Sequence, residues 1–177
     1  MRVVCLARHP AVAVASGLCY GLSDVPLAVG WEAFAARLAT RMRDHEIRLI
    51  VTSPLMRCRV PAERAIALAG GSLRLDDRLR EISFGAWEGC KWSDISHAAL
   101  DEWAADLTGF VPPGGESGEK LIERVQAFWM ECPTDEPFVI LSHGGPLRVL
   151  SALAKGEAVD LSVKPIRQGE VDVIDLA

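Results

Sequence analysis

The chain has no Cys-x-x-Cys pair; its five cysteines, Cys5, Cys19, Cys58, Cys90 and Cys132, are odd in number and widely spaced. Such spacing fits neither a disulfide framework nor a zinc site, so reduced thiols buried as small hydrophobes are expected and no metal is called for. At Cys58, beside Arg57, a reactive thiolate is the alternative. There is no basic excess either: the net charge is -5, and no cationic stretch offers a footprint for a phosphate backbone. Nucleic acid and membrane surfaces are therefore not the expected partners. No apolar run approaches a membrane span. The first run is broken by Arg8-His9 too early for an export signal, so a cytoplasmic location is expected. Repeats, low-complexity tracts and linker-like shifts are absent as well. The 177 residues read as a single domain, 1–177, half of it apolar and large enough for a real core.

What is present is a set of short apolar runs that end in polar residues suited to phosphate chemistry. Val3-Val4-Cys5-Leu6-Ala7 stops at Arg8-His9. Leu49-Ile50-Val51 stops at Thr52-Ser53-Pro54, with Arg57 one turn on, and Phe138-Val139-Ile140-Leu141 stops at Ser142-His143-Gly144-Gly145. Unbroken apolar runs of this length read as strands covered on both faces, the habit of parallel sheets. Ligands of such sheets bind beyond the carboxyl ends of the strands.

Between these runs the spacing predicts helices. Leu27, Trp31, Phe34, Ala35, Leu38 and Met42 share one helical face. A helix is expected from about Pro54 to Ala69, with Pro61 forcing a kink or a late start. A short strand near Ser72 to Leu75 follows, then a helix around Ser93 to Leu107. Ser117 is the N-cap of a further helix, and Pro146 opens the last one. Val171 to Leu176 alternates as a water-facing edge strand does. The expected fold is α/β: a three-layer sandwich, its mostly parallel central sheet flanked by helices on both faces.

Arg8 and Arg57 supply forked donors that match phosphoryl oxygens. The helix start at Gly144-Gly145 favours an anion. A neutral imidazole attacks phosphorus when its other nitrogen is held as a donor, and Pro10 leaves a carbonyl beside His9 for that purpose. Glu81 is the favoured general acid among Glu88, Asp76 and Asp77.

In order along the chain, Leu6-Ala7-Arg8-His9, Thr52 through Cys58, Arg80 through Gly89, Pro113 through Ser117 and Ser142 through Gly145 resemble the blocks of the histidine phosphatase superfamily, which includes phosphoglycerate mutases. The resemblance implies a phosphoglycerate mutase-like fold and a metal-independent phosphomonoesterase needing no cofactor. His9 would be the nucleophile that becomes phosphohistidine, Arg8, Arg57 and His143 would clamp the phosphoryl group, and Glu81 would serve as acid and then base. Gly17 through Leu27 resembles the alpha-ribazole phosphatase branch, which implies alpha-ribazole 5'-phosphate as a candidate substrate.

Two positions depart from the family: Pro10 stands where glycine is usual, and Val14-Ala15-Ser16 where an asparagine is usual. Ser16 is then a substitute donor, and Tyr20 and Gly144 complete the expected substrate contacts. A small phosphorylated metabolite is the expected partner, and a homodimer stays open. The rival readings are a phosphoglycerate mutase and a non-catalytic module that binds phosphorylated ligands. Several residues carry two readings. Glu116-Ser117 is a helix start or a substrate contact. Trp87, Trp92, Trp103 and Phe110 are core or lid packing, or the wall of an aromatic leaving-group pocket. Arg59, Arg64 and Arg78 read as solvated charges.

Overall fold

The computed structural model describes residues 2–132 and 135–176. In chain order the elements are β1 (Arg2–Arg8), α1 (Trp31–Asp44), β2 (Leu49–Thr52), α2 (Met56–Ala69), β3 (Ser72–Leu75), α3 (His97–Ala105), α4 (Gly118–Met130), β4 (Phe138–Ser142), α5 (Gly144–Lys155) and β5 (Val171–Leu176). The strands form one sheet in the order β3-β2-β4-β1-β5. All neighbours are parallel except β5, which runs antiparallel to β1 at the edge.

The unbroken apolar runs follow from two separate cores. Val3, Cys5 and Ala7 of β1, with Val139 and Leu141 of β4, pack against Phe34, Leu38 and Met42 of α1 and Ala62 and Ala65 of α2. Val4, Leu6, Phe138 and Ile140 point the opposite way, onto Leu121, Val125 and Phe128 of α4 and Leu147 and Leu150 of α5. Successive strand residues serve opposite faces, so no position within Val3–Ala7 or Phe138–Leu141 is left for a polar side chain. A third, smaller cluster lies outside the sandwich, where Cys19, Trp87 and Ile95 gather Phe84, Trp92, Trp103 and Phe110.

Local chemistry moved some boundaries. Where one helix was expected around Ser93 to Leu107, a 3-10 turn over Trp92–Asp94 precedes a shorter α3. Ser96 accepts a hydrogen bond from the Ala99 amide and so starts α3 later than Ser93 would. α2 begins at Met56 and runs through Pro61. α5 begins at Gly144, two residues before Pro146, because a missing N–H costs nothing within the first turn. Among the described residues no helix is long and apolar enough to cross a membrane.

Register is what builds the site. Arg8 pairs with Ser142 across β1 and β4, and Thr52 pairs with Leu141 across β2 and β4. The next residues along each strand, His9, Ser53 and His143, therefore emerge side by side at one end of the sheet.

Candidate active site

His9 leaves β1 with its amide donating to Ser142 O at 3.2 Å. Its Nδ1 lies 2.8 Å from Pro10 O, and a carbonyl only accepts, so Nδ1 carries the proton and Nε2 keeps a lone pair. Proline at position 10 deletes an amide yet supplies the orienting carbonyl. Burial, with the positive charges of Arg57 and Arg8, lowers the His9 pKa to about 3. The imidazole is neutral and ready to act as a nucleophile at physiological pH.

That shift has a consequence for stability. Unfolded, His9 takes up a proton as pH falls below its ordinary value of 6.5; folded, it stays neutral until about 3. The unfolded chain binds more protons in that window, so stability present above it is lost as pH falls. We expect His9 to cost about 2 kcal/mol between about pH 8 and about pH 5. Buried His143 contributes in the same direction. Urea titration at both pH values should show this slope in the wild type and a shallower one in His9→Asn; equal slopes would disprove it.

His143 is fully buried, its ring centroid 5.2 Å from that of His9. Its Nδ1 accepts from Arg57 Nε at 3.2 Å, which makes Nε2–H the donor to Ser53 Oγ at 2.8 Å. Burial first, then Arg57, holds its pKa well below the usual range. Cys58 Sγ lies 3.5 Å from His143 Nε2, and burial pushes that thiol far up, so Cys58 packs as an inert hydrophobe and not as a thiolate.

Arg57 is buried too. Besides His143 it donates to Ser23 O at 2.8 Å and Gly21 O at 2.7 Å, and the Tyr20 ring lies over its guanidinium. Of its five N–H groups, two have no protein acceptor among the described residues. Glu88 holds the loop that receives Arg57. Its carboxylate accepts from the amides of Leu22, Ser23 and Phe84 and from the Ser23 hydroxyl. Burial works to raise its pKa, but these bonds prevail and lower it. Glu88 is thereby committed to the loop and not to proton transfer.

Arg8 donates through Nη1 to Ile166 O at 2.9 Å, while its buried Nε has no partner among the described residues. A Cβ at Gly144 would come within 3.2 Å of Arg8 Nη2, so glycine there lets the guanidinium lie against the start of α5. Glu81 sits on the same helix end, its Oε1 accepting from the amides of Gly145 and Ile82 at 3.0 Å. Arg8, His9, Tyr20 and Glu81 line a cavity of about 180 Å³ with Leu18, Gly21, Phe84 and Trp92. A second cavity, of about 420 Å³, shares Glu81 and Phe84 with it.

The expected site residues therefore fall into three groups. Arg8, His9, Glu81 and Tyr20 face the smaller cavity; Arg57, His143 and Gly144 lie behind them. Ser16, offered as a substitute phosphate donor, is exposed and lines neither cavity, because its loop turns it outward. Sequence reasoning missed Arg124. It donates to the carbonyls of Arg78, Arg80 and Glu81 and pairs with Glu116, fixing the backbone that carries Glu81. Glu116 is thus that arginine's partner, and Ser117 is a cap, accepting from the Lys120 amide. The signal was a charged residue on an otherwise amphipathic helix, which looks the same when solvated.

The profile of the histidine phosphatase superfamily (branch 1) matches residues 4–175. The chain belongs to that superfamily. Two solved structures share the fold. The alpha-ribazole phosphatase from Shigella flexneri superposes with a TM-score of 0.86 at 25% identity, covering 99% of this chain and 91% of that one. A mycobacterial glucosyl-3-phosphoglycerate phosphatase gives 0.81 at 25% identity, over 98% and 89%. The bifunctional protein Rv2228c of Mycobacterium tuberculosis is 33% identical over 138 residues, 71% of this chain. The present chain spans 36% of that relative's length.

Proposed function

We infer that this protein hydrolyses a small phosphomonoester through a phosphohistidine at His9. The observation that carries the reading is the His9 tautomer: a neutral, buried imidazole, its Nδ1–H tied to Pro10 O, lining one cavity with Arg8 and Glu81. Nε2 attacks phosphorus as the bond to the leaving oxygen breaks, and protonated Glu81 gives that oxygen its proton. Water then attacks the phosphohistidine, the N–P bond breaks, and Glu81 takes the proton back. Arg8 neutralises the phosphoryl oxygens at the cavity wall, and buried Arg57 adds its positive charge from behind. His143 joins them by exchanging Ser53 for a phosphoryl oxygen as its acceptor.

Alpha-ribazole 5'-phosphate is the first substrate to test, on the strength of the Gly17–Leu27 loop and the likeness to the Shigella enzyme. Incubation with labelled esters, quenched in alkali to spare phosphohistidine, should leave label on His9 and release phosphate. Absence of both with every small ester would overturn the reading. Efficient interconversion of phosphoglycerates would make the protein a mutase instead.

A further inference from the structure

We propose that the larger cavity holds the alcohol half of the substrate and selects a flat aromatic body, with Trp103 as the specificity-determining side chain. This rests on the phosphatase reading above. Glu81 and Phe84 form walls of both cavities, so the carboxyl that protonates the leaving oxygen stands at their junction. An ester with phosphorus at His9 Nε2 sends its alcohol past Glu81 into the second space. The two volumes divide accordingly. About 180 Å³ suits a phosphoryl group, whereas about 420 Å³ falls within the range of pockets for whole organic ligands.

The walls choose the chemistry. Ile82, Phe84, Trp103, Leu107, Leu121 and Leu161 supply most of the lining. A sugar or glycerate placed there would lose water from its hydroxyls with few partners in return. Arg148 also reaches the cavity, its Nε donating to Val163 O at 2.7 Å, and with Glu81 and Ser162 it makes up the polar minority of the lining. Trp103 is held in place before any ligand arrives. It stacks on Trp92 with centroids 5.6 Å apart and planes 12° apart, and meets Phe84 edge-on at 5.8 Å. A ring already fixed by its neighbours adds contact area with little ordering cost. Trp87 and Phe110, stacked at 5.6 Å, form the layer that braces it and line neither cavity.

The test compares naphthylethyl phosphate with glycerol phosphate, two alkyl esters whose leaving oxygens are similarly basic. Wild-type kcat/KM should favour the naphthyl ester by about a hundredfold, the scale of burying a bicyclic ring. Trp103→Ala should bring that ratio down by about tenfold or more, the naphthyl ester losing more than glycerol phosphate. Ala104→Trp, at an exposed α3 position lining the cavity, should fill it and do the same without removing a packed ring. A wild-type ratio within about threefold, or Ala104→Trp slowing both esters alike, would overturn the proposal. If neither ester is turned over and His9 stays unlabelled, the phosphatase reading fails on its own. Equilibrium dialysis with naphthylethanol then decides the cavity: binding that Ala104→Trp abolishes supports it, and no binding refutes it.

Discussion

His9→Asn should abolish turnover, with kcat falling by about four orders of magnitude or more and no alkali-stable phosphoenzyme forming. Asparagine is the informative substitution because its amide N–H can still donate to Pro10 O, the bond His9 makes through Nδ1 at 2.8 Å. What it lacks is a nucleophilic lone pair in place of Nε2. It also removes a group that burial holds neutral down to about pH 3, so the variant should unfold less readily in acid than the wild type. Loss of chemistry together with improved acid stability is a combination that general misfolding does not produce. Residual activity within about tenfold of wild type would show that another group attacks phosphorus.

Glu81→Gln should cost about two to four orders of magnitude in kcat for alkyl phosphates. The amide oxygen can keep accepting from the Gly145 and Ile82 amides, so the side chain stays where the carboxylate was. Esters with an activated leaving group, such as p-nitrophenyl phosphate, need little protonation and should lose far less in the first step. The second step still lacks its base, so an early burst of nitrophenol should appear as phosphoenzyme accumulates. Gly145→Ala should reproduce the defect without touching a titratable group. A Cβ there would collide with Glu81 Oε1, forcing the carboxyl off the helix end. Equal penalties for alkyl and nitrophenyl esters would rule out Glu81 as the proton donor.

The strands and the site's edge were legible because burial on both faces leaves an unmistakable pattern. Val3 to Ala7 and Phe138 to Leu141 have no polar position, and the chemistry begins where that constraint ends. The supporting residues were not legible, for a physical reason. A charged side chain reads as solvated unless its partner is known, and some partners here are neighbours in sequence while others lie more than forty residues away. Arg78, read as a solvated charge, pairs with Asp76 and Glu131 and lies over the Phe128 ring. Arg124 reaches back to carbonyls more than forty residues earlier. Arg8 and His9 are braced by Gly169, whose amide donates to both their carbonyls from the far end of the chain. The four aromatic residues split along the same line. Composition could not separate Trp87 and Phe110, which brace, from Trp92 and Trp103, which line cavities, because that difference lies in where each ring sits around one cluster.

Three of the chain's five tryptophans sit in that outer cluster, and two of them are stacked in nearly parallel planes. Transition dipoles so close couple, and the skew between them within their two planes should appear as a paired positive and negative band in circular dichroism. Trp92 borders one cavity and Trp103 the other, so occupation of either space changes the coupling. The protein thus carries its own optical readout, and binding can be followed with no label attached.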